Sequence, residues 1–198
     1  MKSREWREFL EGQRQLHGKT LFTVTELANA AGTSREALNV ELSRLRRQGA
    51  IVRYAQGRYG LPGAVTLETL LRAVDCHAYV TGLQALFAHN LVNQVPATIT
   101  CFTDKRSSRA RIRTTPLGRL VFVCVRNSVL HPPRDAVIAE PEQAFCDYLY
   151  LCRRQRVLPE AQVSFRNLRR LRRARLFRIL KRYPATVERD VRRLLGMA

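Results

Sequence analysis

The sequence predicts an α+β fold in two parts, and three observations carry that reading. Two capped helical segments joined by a glycine turn are followed at once by a short glycine hairpin, all within residues 1–63. Residues 64–198 then mix strand-like and helical segments. The last of these keep helical spacing of apolar residues while carrying most of the positive charge of the chain.

Along the first part, residues 3–17 read as a helix with Trp6, Phe9, Leu10 and Leu16 as its apolar side, ended by Gly18 and Lys19. Leu21 and Phe22 form a short hydrophobic step. Thr23-Val24-Thr25-Glu26 has capping-box spacing, in which a hydroxyl and a carboxylate satisfy each other's free backbone donors. The short helix over 26–31 stops at Gly32. Thr33-Ser34-Arg35-Glu36 reads as a second box and opens a longer helix over about 34–48, closed by Gly49. Two such helices around a tight glycine turn are a helix-turn-helix. Residues 51–54 and 58–61, parted by Ala55-Gln56-Gly57, predict the hairpin of a winged form, and Pro62-Gly63 is the expected boundary.

In the second part, residues 66–74 predict a helix. Thr81-Gly82-Leu83-Gln84 predicts a third box and a helix to Leu91. Residues 99–103 predict a strand, 104–109 a basic loop, and 111–115 with 120–125 a pair across Pro116-Leu117-Gly118. Glu140-Pro141 opens a clear helix, because proline at the first helical position lacks an N–H that would be unpaired anyway. Residues 164–195 predict an arginine-rich helical end broken at Pro184, with Leu168, Leu171, Leu176, Ile179, Leu180 and Tyr183 as its apolar side.

Charge narrows the partners. The formal net charge is +19 over 198 residues, divided as +5 in 1–65, +2 in 66–150 and +12 in 151–198. A surface this basic favours a polyanion, with nucleic acid ahead of anionic membrane. No run approaches the roughly 18 apolar residues that a membrane span needs, and no secretory leader is seen at the N-terminus. The cysteines Cys76, Cys101, Cys124, Cys146 and Cys152 are odd in number and lack C-x-x-C spacing, so they read as reduced, mostly buried thiols of a cytoplasmic protein.

The second helix of the first part carries the chemistry. Leu38, Leu42 and Leu45 share one stripe, and the opposite side presents Glu36, Asn39, Val40, Ser43 and Arg47, with Arg44 beside them. Arginine holds guanine edges or phosphate, asparagine pairs with adenine, and serine bonds either. Thr33, Ser34 and Arg35 stand where helix N–H groups point at a phosphate. Arg53 and Arg58 on the hairpin are expected to reach the adjacent backbone or minor groove. A solvated charged face is the ordinary alternative for all of these.

No catalytic constellation is legible, and no enzyme activity is expected. His17, His77, His89 and His131 are scattered without a ligand neighbour at helical spacing. Glu140, Glu142 and Asp147 invite a metal reading, against which stands a negative helix start favoured by the macrodipole. Asp104-Lys105 after an apolar strand lacks the separated acidic partner that a nuclease needs. No glycine-rich phosphate loop is present, and neither cofactor nor metal is expected.

Three further segments carry a resemblance. They are Ala78-Tyr79-Val80-Thr81-Gly82-Leu83-Gln84-Ala85-Leu86 with His89-Asn90-Leu91-Val92-Asn93-Gln94-Val95-Pro96, then Thr103-Asp104-Lys105-Arg106, and most clearly Ala139-Glu140-Pro141-Glu142-Gln143-Ala144-Phe145-Cys146-Asp147-Tyr148-Leu149-Tyr150-Leu151. In order, with the winged helix before them, these resemble the AbiEi-type antitoxins of type IV toxin–antitoxin systems. That family usually reads Ala-x-Pro-Glu-Lys-Ala-Leu-x-Asp in the last stretch, and this chain has Gln143 for the lysine and Phe145 for the leucine. The resemblance implies a transcriptional repressor that binds double-stranded DNA, an operator usually of inverted repeats. It also implies that the chain autoregulates its operon and counters a nucleotidyltransferase toxin in abortive infection without a tight complex.

The expectation is therefore a winged helix-turn-helix DNA-binding domain over 1–63 and an AbiEi-like domain with an arginine-rich helical end over 64–198. The protein is expected to bind DNA as a monomer or weak dimer and to have no membrane partner. Arg169, Arg170, Arg172 and Arg173 are expected to add phosphate contacts, which give affinity and salt dependence but no sequence choice. A solvated face and an amphipathic helix on anionic lipid are the other readings of that segment. A stand-alone winged-helix transcription factor is the first functional rival, and a nucleic-acid-processing enzyme the second.

Overall fold

The computed structural model describes residues 3–106 and 111–197, so residues 107–109 of the expected basic loop lie outside the described residues. The chain divides into two compact units, Met1–Cys76 with Thr114–Gly118, and His77–Arg113 with Arg119–Ala198. The architecture is α+β: a helix-turn-helix domain followed by a helix and sheet domain.

In the first unit, α1 (Ser3–His17) buries Trp6 and Leu10. Leu16, expected on the same apolar side, is 79% exposed. The hydrophobic step at Leu21–Thr23 is a strand, β1. Thr23 then caps α2 (Val24–Ala31): its hydroxyl accepts from the Glu26 N–H at 3.1 Å, and Glu26 accepts from the Thr23 N–H at 2.8 Å. Gly32 ends α2 in the left-handed region that glycine adopts without a Cβ clash. The next helix, α3 (Arg35–Arg47), is capped by Ser34 rather than Thr33, through the Ala37 N–H at 3.3 Å. The second box does not form, because the Thr33 N–H is already donated to the Ala28 carbonyl and Thr33 closes the preceding helix.

Strands β2 (Val52–Ala55) and β3 (Arg58–Gly60) form the expected hairpin. The sheet order is β1-β3-β2, so the wing is a three-stranded sheet. Gly60 in its centre is required by space, since a Cβ there would run into the Thr20 carbonyl. The core joins Trp6, Leu10, Phe22, Leu27, Leu38, Leu42, Leu45, Ile51 and Tyr59. Helix α4 (Leu67–Val74), read from sequence as the start of the second part, is grouped with the first unit. It buries Leu70 and Leu71, and Arg58 Nη2 donates to the Ala73 carbonyl at 3.4 Å. The division therefore falls after Cys76 rather than at Gly63.

The second unit carries most of a four-stranded mixed sheet, with helices. Strand β4 (Tyr79–Thr81) precedes α5 (Gly82–Ala88). Strands β5 (Ile99–Thr103), β6 (Ile112–Thr115) and β7 (Gly118–Cys124) complete an order β4-β5-β7-β6. β4 runs antiparallel to β5, and β5 parallel to β7. Helix α6 (Pro141–Gln155) opens with proline at its first turn and is buried without a break from Glu142 to Leu149. It passes through a core of Tyr79, Leu86, Phe102, Phe145, Leu149, Leu176 and Val187. Of the cysteines, Cys101, Cys146 and Cys152 are buried and Cys76 is exposed, all free thiols.

Past α7 (Pro159–Gln162) the expected long helix is not formed. Residues 164–172 pass through a single 3-10 turn, Leu168–Arg170, and helix resumes only at α8 (Arg173–Leu180) and α9 (Ala185–Leu194). The cause lies in the backbone. The Arg166 N–H donates to the Leu91 carbonyl at 2.9 Å, Phe165 bridges Val92, and Asn167 stands at φ 57° with its side chain donating to the Asn90 carbonyl. These donors bind the loop after α5 and so cannot continue a helix.

Candidate nucleic-acid interface

Helix α3 is held by its buried stripe of Leu38, Leu42 and Leu45. At 100° per residue, the row most distant from that stripe is Glu36, Val40, Ser43 and Arg47, flanked by Asn39 and Arg44. All six are exposed, Val40 at 73%. An exposed valine centred on a polar row suits the methyl group of thymine. Arg44 Nη2 donates to Glu41 at 3.4 Å, so its guanidinium is partly committed to its own helix. Neither Asn39, Ser43 nor Arg47 has a partner of that kind among the described residues.

The N-terminus of α3 works differently from the expectation. The Ser34 hydroxyl is used by the cap, and Thr33 is half-buried in the turn. What faces outward there is Arg35 and the first-turn N–H groups, with Glu36 opposing an anion beside them. On the wing, Arg53 is exposed and its Nε donates to the Ala55 carbonyl at 3.4 Å. Arg58 is half-buried and points its guanidinium at the end of α4. Of the two wing arginines, Arg53 is the accessible one. Arg46, exposed on the flank of α3, adds a basic side chain beside that row.

The C-terminal arginines divide sharply. Arg153 holds Asp190 with two donors at 2.5 Å, Arg192 meets Glu188 at 3.0 Å, and Arg193 meets Glu160 at 2.5 Å. Arg172 and Arg175 turn to α6: the Arg172 N–H donates to Glu142 at 2.9 Å, its guanidinium lies 3.7 Å from the same carboxylate, and Arg175 contacts Glu140 and Glu142. Arg169, Arg170 and Arg173 have no such partner among the described residues. The four arginines taken together from sequence are thus three available ones and one engaged one.

The acidic trio of α6 resolves the same way. Glu140 and Glu142 meet arginines, and Asp147 is fully buried among uncharged donors. Asp147 accepts from Thr81 Oγ1 at 2.6 Å, the Tyr183 hydroxyl at 2.5 Å, the Tyr79 hydroxyl at 3.1 Å and Gln143 Nε2 at 3.1 Å. Burial pushes its carboxyl up to about 7 despite those four donors. Thr81 directs its hydroxyl to Asp147 and makes no side-chain bond at the start of α5, so the third expected capping box does not form. Gln143 also donates to Tyr183 at 2.6 Å, so a neutral amide serves at this position. Among the described residues no group of three or more His, Cys, Asp or Glu side chains is placed to hold a metal. Asp104 pairs with His77 at 3.0 Å.

Residues 7–69 match the model of the Crp-like helix-turn-helix domain. The matched stretch takes in α1 from residue 7 onward, both helices of the turn and the whole wing. It supports a winged helix-turn-helix DNA-binding protein that regulates transcription. It ends before residues 78–96, 103–106 and 139–151, on which the AbiEi resemblance rests. No curated protein matches the chain. Among the described residues no helix is long and apolar enough to cross a membrane.

Proposed function

We propose that the chain is the antitoxin of a type IV toxin–antitoxin pair, a repressor of its own operon that counters a nucleotidyltransferase toxin by binding and regulation rather than by catalysis. The observation that carries the DNA-reading half is the outward row of α3, whose asparagine, serine and arginine are unengaged while its leucines are locked in the core. The toxin-countering half is supported by the ordered segments of the second unit. Their most specific member, the stretch from Ala139 to Leu151, supplies the central buried helix of that unit.

The test has two arms. A reporter driven by the promoter upstream of the gene is expected to be silenced by the protein, and silencing is expected to fail with Arg47→Ala. Co-expression with the product of an adjacent nucleotidyltransferase gene is expected to restore growth that this product alone arrests. Repression without rescue assigns a stand-alone regulator and ends the antitoxin reading.

A further inference from the structure

The second unit holds a cleft lined by no residue of the α3 row or of the buried Asp147 network. It has a volume of about 700 Å³ and lies where the chain from Phe165 to Arg173 faces the end of α9. That size falls within the roughly 300–1,000 Å³ of small-molecule sites. Its lining has two characters. Phe165, Leu168, Leu194 and Leu195 provide apolar surface, and Arg169, Arg170 and Arg173 provide charge together with Arg166, which donates to Asn90 Oδ1 at 3.3 Å.

The apolar floor and the backbone that carries the arginines are both held in place. Phe165 stands edge-on to Phe145 at 5.5 Å and to Tyr148 at 5.7 Å, which fixes the floor against α6. The backbone of the arginine turn is tied by Arg166 to Leu91 and by Asn167 to Asn90. Neighbouring Arg172 and Arg175 have carboxylates on α6, whereas Arg169, Arg170 and Arg173 have none among the described residues. Three of the four arginines within residues 169–173 thus concentrate unpaired positive charge at one rim, which favours an anion there. Guanidinium groups recognise phosphate by paired donors, and an apolar floor beside them rewards a ligand with a non-polar or aromatic body.

We infer that this cleft binds a small organic phosphate, with the phosphate held by Arg169, Arg170 and Arg173 and the ring or apolar body laid on Phe165 and Leu168. The second unit thereby gives the regulator a place for an effector. The site is independent of α3, and the assay below contains no operator, so its failure leaves the DNA-reading proposal where it stands.

Isothermal titration of the full-length protein with ATP and, separately, with inorganic pyrophosphate tests the site. ATP is expected to bind at least tenfold more tightly than pyrophosphate, since only ATP covers the apolar floor. Each of Arg169→Gln, Arg170→Gln and Arg173→Gln is expected to weaken ATP binding about tenfold, the worth of one charge-assisted contact. Arg178→Gln, on the exposed side of α8, is expected to leave it unchanged. All four side chains are at the surface, and an unaltered thermal transition checks that each variant folds. Pyrophosphate binding as tightly as ATP, no binding of either, or an equal loss in Arg178→Gln would overturn the assignment. So would displacement of ATP by a random-sequence duplex, which would return these arginines to the DNA backbone.

Discussion

The first unit carries the smaller charge and the second the larger, yet the smaller is better placed to read sequence. On α3 the polar row is defined by what lies behind it: three buried leucines fix its rotation, so Asn39, Ser43 and Arg47 face outward by necessity. In the C-terminal segment the arginines outnumber the acids, but the acids are all used. Glu160, Glu188 and Asp190 hold Arg193, Arg192 and Arg153, and α6 takes Arg172 and Arg175. Net charge counts side chains, and function depends on which of them are available.

The largest effect separates the two units by stability. Leu42→Ala removes a side chain that is 1% exposed in the core of the first unit and is expected to cost about 2–5 kcal/mol. Calorimetry should show the loss in the transition of that unit, with DNA binding abolished. A shift of equal size in the second unit would mean that the two fold as one.

The next effect belongs to the second unit and to pH. The Asp147 carboxyl lies at about 7 in the folded protein, above its ordinary value of 3.8. The folded state therefore holds a proton that the unfolded chain releases earlier. The contribution of this group to stability is full below about pH 4 and falls as pH rises to about 7, by roughly 4 kcal/mol in all. Asp147→Asn is expected to flatten that fall in urea titrations across pH 4–8. An identical slope in the variant would place the titration elsewhere.

A third effect tests tied against available arginines. Arg172→Gln is expected to cost no more than about 1 kcal/mol of stability, because the Arg172 side chain is 71% exposed and screened. It should leave the salt dependence of DNA binding unchanged. Arg44→Gln, which loses only the exposed contact to Glu41, is expected to cost about 0.5 kcal/mol or less by thermal unfolding.

What sequence revealed and what it hid follows from how local each signal is. The Thr23 box, the Gly32 stop, the leucine stripe and the glycine hairpin are short-range, and the structure repeats them. Strands β1 and β4 were hidden because three residues show no alternation, and each owes its state to a partner distant in sequence. Thr81 had the spacing of a cap but was claimed by Asp147, 66 residues on. The C-terminal segment kept helical periodicity through Leu168 and Leu171, yet hydrogen bonds to Asn90 and Leu91 broke it. Of the candidate interface, the row on α3 was legible. The loss of Arg58 to α4 and of Arg172 to α6 was not, since both depend on carbonyls and carboxylates that only the fold brings near.

The central claim is that sequence choice resides in the outward row of α3. Fluorescence anisotropy with a duplex from upstream of the gene, and with a scrambled duplex of the same composition, measures it in wild type, Asn39→Ala and Arg47→Ala. Each variant is expected to lose about 1–3 kcal/mol on the upstream duplex and much less on the scrambled one. Equal losses on both duplexes, or none on either, would contradict it.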